Sequence, residues 1–401
     1  MDRVTLRRRA ALFTLFFVPG LGIASWVTRT PDVRDLLGAS TAEMGLVLFG
    51  LSVGSMAGVL CSGPLVARWG TRPVIVLGSL LGAAGVPLAG LGTWWHSALP
   101  TAAGLALFGL GIGCGEVAMN VEGAEVERLL GRSVLPAMHG CFSLGTVVGG
   151  STGLALTAAR FPVVAHLGVV GGVVLAVLAA TIGFIPPGVG RRTTARVAEE
   201  AAPRVWRERR MLLLGVIILA LALSEGAAGD WLPLIMVDGH GTGAAVGSAV
   251  FVGFAAAMTL GRFAGGLAVD RFGRAPALRA GILVGVAGIA LVIFADSELV
   301  AAGAAVLWGL GAALGFPVAL SAAGEGGHAA ARVSFAATVG YTAFLVGPPA
   351  LGFLGQQFGL RHAMIVVLAL VAVAVLATPA ARPLAAPPSP DLRDATPESI
   401  R

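Results

Sequence analysis

The sequence contains twelve apolar runs, each about as long as a helix that crosses a membrane. A hydrocarbon core about 30 Å thick is spanned by roughly 20 helical residues, and charged or turn-rich breaks separate the runs at that spacing. The runs cover residues 10–30, 43–66, 73–95, 99–123, 134–158, 161–186, 211–236, 244–268, 276–295, 299–322, 333–356 and 360–380. This pattern predicts an all-α membrane protein with twelve transmembrane helices.

The composition excludes a water-soluble fold. Of the 401 residues, 56% are hydrophobic and only 12% are charged, about half the charged share of a soluble domain. The 59 glycines would weaken helices in water, whereas in a bilayer they let helices approach closely. The net charge of +6 comes from arginines near the ends of apolar runs, which is typical of membrane orientation rather than nucleic-acid binding.

The arginines also predict how the chain is oriented. Arg29, Arg34, Arg160 and Arg361 lie outside, and the cytoplasmic segments hold the other 23 of the 27 arginines. Because basic loops are retained in the cytoplasm, we predict a multi-pass protein of the bacterial cytoplasmic membrane. Both termini are then cytoplasmic.

The chain is predicted to have four parts, which differ in the apolar surface they can bury. They are an N-terminal six-helix half at 1–186, a cytoplasmic linker at 187–210, a C-terminal six-helix half at 211–380 and a disordered tail at 381–401. The linker is rich in arginine and the tail in proline, and neither has the apolar residues needed to form a core.

An internal repeat relates the two halves. The segment GLGIGCG at 109–115 recurs as GLGAALG at 309–315, and GPLVARWG at 63–70 recurs as GLAVDRFG at 266–273. Similar segments about 200 residues apart predict two six-helix parallel repeats. In transporters such repeats enclose a solute site near the middle of the membrane.

The segment that begins at residue 266 lies in the loop between the eighth and ninth runs and carries a specific motif. The motif reads glycine, three residues, aspartate, arginine, one residue, glycine, arginine. Its members are Gly266, Asp270, Arg271, Gly273 and Arg274. The glycines permit a tight turn between helices, and the carboxylate can meet helix N-termini or arginines. The motif resembles the loop signature of the major facilitator superfamily, and the resemblance covers roughly residues 10–380. It implies the major facilitator fold and transport by alternating access.

The matching loop of the first half departs from this signature. Ala67 stands in the place of the carboxylate and Thr71 in the place of an arginine. The resemblance therefore implies an electrostatic latch in the second half only.

Two other segments resemble a bacterial branch of the superfamily near the fucose–proton symporters. They are Met-Asn-Val-Glu-Gly at 119–123 and His-Gly-Cys-Phe-Ser-Leu-Gly at 139–145. This resemblance implies a polar solute and proton coupling. Drug–proton antiporters carry an arginine at the place of Leu105 and a Gly-Pro motif within 145–150, and both features are absent here.

Two carboxyl groups fall within apolar runs and are predicted to carry the proton. Glu225 lies near the middle of the seventh run and Glu116 lies in the fourth. A charge at the bilayer centre costs at least about 2.5 kcal/mol, so each needs a partner, a cavity or a proton. For Glu225 the alternative is a protonated glutamic acid that forms a hydrogen bond in a helix contact.

Other polar residues are predicted to line the solute cavity or its external mouth. These candidates are Asn120, His139, Arg29, Asp230, Trp231 and Tyr341. Asn120 follows Glu116 by four residues and therefore shares its helix face. For His139 alone the pattern favours a packed neutral ring at a helix end, and Trp231 is equally compatible with an anchor at the membrane interface.

The charged residues after the fourth and tenth runs are predicted to form mostly solvated surfaces. They are Glu122, Glu125, Glu127, Arg128, Arg132, Glu325, His328 and Arg332.

The function that fits these observations is secondary active transport. The sequence has no G-x-x-x-x-G-K-[ST] motif and no lysine, which argues against an ATP-driven pump. We expect a monomer whose partners are a small polar solute, protons and lipid, with no cofactor, no metal and no nucleic acid. Two alternatives remain open: proton-driven efflux of drugs or amphipathic metabolites, and an intramembrane enzyme that uses Cys141 or Ser143 beside His139.

Overall fold

A computed structural model describes residues 3–131, 134–191, 205–325 and 328–384. Within these ranges the chain is helical and contains no strand. The helices are α1 Arg3–Val27, α2 Thr30–Leu37, α3 Thr41–Trp69, α4 Thr71–Trp94, α5 Ala98–Leu130, α6 Leu135–Ala158, α7 Val163–Thr181, α8 Arg209–Leu234, α9 Ala244–Phe272, α10 Arg274–Phe294, α11 Glu298–Ala312, α12 Gly315–Ala323, α13 Ala329–Phe358 and α14 Leu360–Ala377.

The described residues form twelve segments long and apolar enough to cross a membrane, as predicted. The proposed parts of the chain remain predictions, and most of the linker (192–204) and tail (385–401) lies outside the described residues. We call the membrane face where α1 begins and α14 ends the terminal face, and the opposite face the far face.

Two local features were not predicted. The short helix α2 follows α1 at the far face and ends at Gly38, whose φ of 60° is the left-handed conformation common at helix ends. The tenth span is divided into α11 and α12 around Ala313. Pro317 explains this break, because it cannot donate to the carbonyl of Ala313 and its ring would clash with that oxygen.

The glycines of the internal repeat have the same packing role in both halves. A Cβ atom on Gly109 would collide with the carbonyl of Leu51 on α3, and one on Gly309 would collide with the carbonyl of Phe254 on α9. The fourth span of each half therefore lies backbone to backbone on the second span of the same half. This equivalence confirms two six-helix parallel repeats.

The two halves are joined mainly at the far face. There α3 packs on α13 and α6 packs on α9. A Cβ atom on Gly45 would lie 2.9 Å from the carbonyl oxygen of Pro348, so only glycine fits at this crossing. The hydroxyl of Ser248 donates to the carbonyl of Thr28 across the halves at 2.8 Å.

At the terminal face, each ion pair between described residues lies within one half. The described contacts between the halves thus lie mainly toward the far face, and exposed polar side chains of both halves, among them His139 and Asp270, lie on the terminal side.

Candidate solute and proton site

An ion pair lies near the middle of the membrane in the C-terminal half. Arg262 on α9 donates from Nη2 to Oε1 of Glu225 on α8 at 2.8 Å. The two side chains remain 31% and 25% exposed, so they border an open space rather than a packed core. Glu225 is therefore neither alone nor simply packed in a helix contact. The sequence pattern assigns Arg262 to the cytoplasmic arginines that set orientation, and its pairing with Glu225 within the spans corrects that assignment.

The N-terminal half presents a neutral polar pair to the same region. Nε2 of His139 on α6 lies 3.0 Å from Oδ1 of Asn120 on α5. The ring of Phe16 meets the imidazole edge to face, with centroids 5.1 Å apart. His139 also interacts electrostatically with Arg262, which places the two polar pairs on facing halves. The imidazole is exposed, so it is not a packed core histidine.

The second intramembrane carboxyl lies opposite a tyrosine of the other half. Glu116 on α5 is half-buried and interacts electrostatically with the hydroxyl of Tyr341 on α13. It forms no ion pair with any residue in the described ranges. Asp230 is half-buried on α8, five residues beyond Glu225, and has no hydrogen-bond partner among the described residues.

Two cavity candidates are not accessible in this conformation. Arg29 is 1% exposed and Trp231 is 0% exposed. Nη1 of Arg29 donates to the hydroxyl of Thr157 at 2.9 Å, and Nη2 donates to the carbonyl of Phe161. Arg29 thus ties the end of α1 to the α6–α7 turn within one half. Neither side chain lines an open mouth here, because the halves are closed at the far face.

The environment of Arg29 includes one more charge. Asp32 lies 3.3 Å from its guanidinium. Burial lowers the pKa of Arg29 and raises the pKa of Asp32, and the attraction between the two groups opposes both shifts.

The loop signature forms the turn between α9 and α10. Gly273 has a φ of 83°, a left-handed conformation that glycine adopts without strain. Gly266, Asp270 and Arg271 are exposed, and Asp270 forms no ion pair with a described residue. Arg274 is the member that binds another group, since its Nη1 donates to Oε1 of Glu325 at the end of the tenth span.

Glu325 collects several donors at the terminal face. Besides Arg274, Nη2 of Arg210 at the start of α8 donates to Oε2 at 3.0 Å. Burial alone would raise the pKa of Glu325, but the hydrogen bonds from Arg274 and Arg210 hold it below the usual value of 4.5. Glu325 is therefore part of a helix junction, although its side chain is still 25% exposed.

The first half contains the equivalent junction. Glu122 is 0% exposed; Nε of Arg8 donates to its Oε1 at 2.6 Å and the hydroxyl of Thr71 donates to its Oε2 at 2.5 Å. The prediction of a solvated surface was wrong for Glu122, because these donors replace water around its carboxylate. Thr71 occupies the place of Arg274. Although this loop departs from the signature, the threonine hydroxyl still donates a hydrogen bond to the equivalent carboxylate.

A further ion pair, not foreseen from the sequence, connects the halves. Nη1 of Arg34 on α2 donates to Oδ2 of Asp238. Asp238 belongs to a π-helical turn, Ile235–Gly239, that extends α8 at the far face. Both residues are charged and lie in predicted far-face loops, but nothing in the sequence indicates that they meet.

Twelve spans in two equivalent halves, with facing polar groups at mid-membrane, define a transporter of the alternating-access class rather than an enzyme. The family model described as Major Facilitator Superfamily matches residues 11–342 and 214–399. The chain therefore belongs to the major facilitator superfamily.

Similar proteins agree with this family. An uncharacterised MFS-type transporter of Yersinia pestis is 32% identical over 366 residues, which cover 90% of this chain and 93% of that protein. Among solved structures, a variant of the nucleoside transporter NupG has a TM-score of 0.78 at 11% identity, covering 94% of this chain and 100% of its own. The transporter FucP, in an outward conformation, has a TM-score of 0.67 at 17% identity, covering 95% and 100%. At these identities the two structures show a shared fold.

Proposed function

We propose that this transporter moves a small polar solute across the bacterial cytoplasmic membrane and couples that movement to protons. The observation that carries the proposal is the placement of Glu225 and Glu116 near mid-membrane, on opposite halves. An ionisable group at that depth is costly unless it has a function or a partner. The fold neighbours also support a polar solute, since one is a nucleoside transporter and another a fucose–proton symporter.

The two carboxyls have different surroundings, which suggests different tasks. Glu225 has an arginine as its partner, and a proton that binds this carboxylate would remove the charge that holds Arg262. Glu116 has no cation beside it among the described residues and faces the hydroxyl of Tyr341. Glu225 is the better proton carrier because a change in its charge would release a second group into the solute path.

Proteoliposomes containing a pH-sensitive dye test the coupling. Fucose and uridine are the first probes, because they represent the solute classes of the fold neighbours, and other sugars and nucleosides complete the panel. Glu225→Gln should retain exchange of labelled solute while losing accumulation driven by a pH gradient. Glu116→Gln is tested in parallel. If both variants accumulate solute as wild type does, proton coupling through these residues is wrong.

The proposed orientation has a separate test. Single cysteines are introduced near Ser97 at the far face and near Arg196 in the linker, after Cys61, Cys114 and Cys141 are replaced by serine. Arg196 lies outside the described residues, and the helices that flank it, α7 and α8, end and begin at the terminal face. An impermeant thiol reagent applied to intact cells should label the first cysteine and not the second. The reverse pattern contradicts cytoplasmic termini.

Efflux of drugs or amphipathic metabolites is the alternative within transport. It predicts that lipophilic cations, rather than sugars or nucleosides, cause proton movement in the same vesicles. Leu105, at the place of the antiporter arginine, is 1% exposed and packs in the apolar core. The structure thus offers no polar group at that position, which favours uptake or exchange of a polar solute.

A further inference from the structure

The guanidinium of Arg262 has unused hydrogen-bonding capacity. An arginine carries five N–H donors in a planar fork. In the described chain, Arg262 donates one hydrogen bond, from Nη2 to one oxygen of Glu225. The side chain is 31% exposed beside the space between the halves. Several N–H groups are therefore free to bind a second acceptor from that space.

The groups around Arg262 come from four helices. Glu225 on α8 is its ion-pair partner. His139 on α6, in the other half, lies close enough to interact with it electrostatically. Asn120 on α5 holds the imidazole of His139. Phe263, next in sequence on α9, is 65% exposed and points toward Gly140 of the other half. Arg262 is the one cation among these groups, and it lies where α9 meets the N-terminal half.

We propose that Arg262 is the anion-binding residue of the solute site and that the solute carries a carboxylate, which replaces Glu225 on the guanidinium. This inference rests on the proposed transport function and names the class of its solute. When no solute is bound, the Glu225 carboxylate accepts the hydrogen bond from Arg262 and therefore competes with the solute carboxylate for the guanidinium. When the solute carboxylate takes its place, the released Glu225 oxygen accepts one proton, so one anion and one proton enter together and no net charge moves.

The geometry favours a carboxylate over a neutral polyol. Charge-assisted hydrogen bonds from arginine to a carboxylate are roughly twice as strong as neutral ones, and two parallel bonds are possible. A hydroxyl group can reach the free N–H groups of Arg262, but it cannot displace the Glu225 carboxylate from Nη2, because it would replace a charge-assisted hydrogen bond with a neutral one. A neutral sugar would instead bind Asn120 or Tyr341 and leave the ion pair intact.

Thermal stability of the purified protein in detergent tests the inference without any need for transport. The probes are matched pairs that differ in one carboxylate: glucuronate against glucose, galacturonate against galactose, and lactate against lactamide, at constant pH and ionic strength. We expect at least one carboxylate to raise the Tm saturably while its neutral counterpart does not. A ligand at 100 times its Kd gives a readily measured stabilisation.

Variants identify the residue responsible. Arg262→Gln should abolish carboxylate protection, whereas Arg279→Gln, an exposed arginine on α10 with the same change of net charge, should retain it. Glu225→Gln removes the competitor and should lower the carboxylate Kd about tenfold, which corresponds to ~1.4 kcal/mol. Because Arg262→Gln leaves Glu225 without its partner, the double variant Arg262→Gln/Glu225→Gln serves as a second test. It removes both charges and should fold yet gain nothing from carboxylates.

The possible outcomes separate this inference from the proposed function. The inference is overturned if no carboxylate protects, if neutral counterparts protect equally, or if protection survives in the double variant. Protection by a neutral sugar together with intact proton coupling would leave the proposed function standing. Protection by a carboxylate without any proton movement would retain Arg262 as the binding residue but overturn the proton step assigned to Glu225, and proton coupling with it.

Discussion

At the scale of single residues, Glu122 is the most deeply buried charged residue in the described chain, and its hydrogen-bond partners account for that burial. Its carboxylate is fully enclosed and receives donors from α1 and α4. Glu325 has the same place in the second half, where Arg274 donates instead of Thr71. A hydroxyl can replace a guanidinium here because Arg8 already supplies the positive charge that Glu122 needs.

The first prediction concerns Arg8. Arg8→Gln should lower the stability of the folded protein by about 3–5 kcal/mol, because it leaves a buried carboxylate without a counter-charge. The matched control is Arg7→Gln on the same helix, an exposed position where the change should stay within about 0.5 kcal/mol. Thermal unfolding in detergent measures both variants. Similar losses for the two would show that Glu122 does not depend on Arg8.

The second prediction concerns the pH dependence of Glu325. Its pKa is lowered in the folded protein, so its contribution to stability is present above the ordinary value of 4.5 and is lost as pH falls through the folded value. The Tm difference between wild type and Glu325→Gln should therefore be constant near neutral pH and begin to shrink as the pH falls below 4.5. Taking the difference from the glutamine variant removes the contribution of all other titrating groups, because both proteins contain them. A difference that persists unchanged in acid would contradict the role given to Arg274 and Arg210.

At the scale of helices, the apolar runs predicted the twelve spans because each run must cover the same bilayer thickness. The runs could not predict α2, since eight residues containing four charged or polar side chains give no membrane signal. The break in the tenth span had a visible cause in Pro317, but a proline in a membrane helix often causes only a bend. The sequence is sufficient to predict a span, because the length of the apolar run decides it. It is not sufficient to predict a short helix or a break, because a local cap or clash in three dimensions decides these.

The loops between helices give the third prediction. Asp270→Asn should slow transport about tenfold, equivalent to ~1.4 kcal/mol on the barrier, whereas Ala67→Asn should have little effect. Asp270 is exposed and forms no ion pair with a described residue, so its charge is free to act when the terminal face closes. Initial rates in proteoliposomes measure both variants at equal protein content. Equal effects at the two loops would exclude an electrostatic latch in the second half only.

At the scale of the whole molecule, the site shows what a single sequence can and cannot predict. Glu225 and Glu116 were identified because a charge inside an apolar run is conspicuous. Arg262 was not, because it lies ten residues before the end of α9 and was interpreted as an orientation signal. Its pairing with Glu225 depends on how α8 and α9 cross, and the facing of His139 depends on how the halves meet. Neither relationship leaves a periodic pattern in the chain.

The last prediction concerns the equilibrium between the two conformations, in which the pair Arg34–Asp238 connects the halves at the far face. Arg34 is anchored within its own half as well, since its Nη2 lies 2.7 Å from Asp35. The side chains of Arg34 and Asp238 are 16% and 34% exposed, so the pair should contribute about 0.2–1 kcal/mol to far-face closure. Arg34→Asp places two carboxylates together and should shift the population toward opening by up to about fivefold.

Spin labels at Leu99 and Leu299 report this shift, because the two positions are 80% and 79% exposed on opposite halves at the far face. In a cysteine-free background, Arg34→Asp should populate longer distances between the labels, and the charge swap Arg34→Asp/Asp238→Arg should restore the wild-type distribution. Asp35→Asn is the matched control, since Asp35 contacts Arg34 without bridging the halves. Identical distributions for wild type and Arg34→Asp would mean that apolar packing of α3 on α13 and of α6 on α9 alone holds the far face closed.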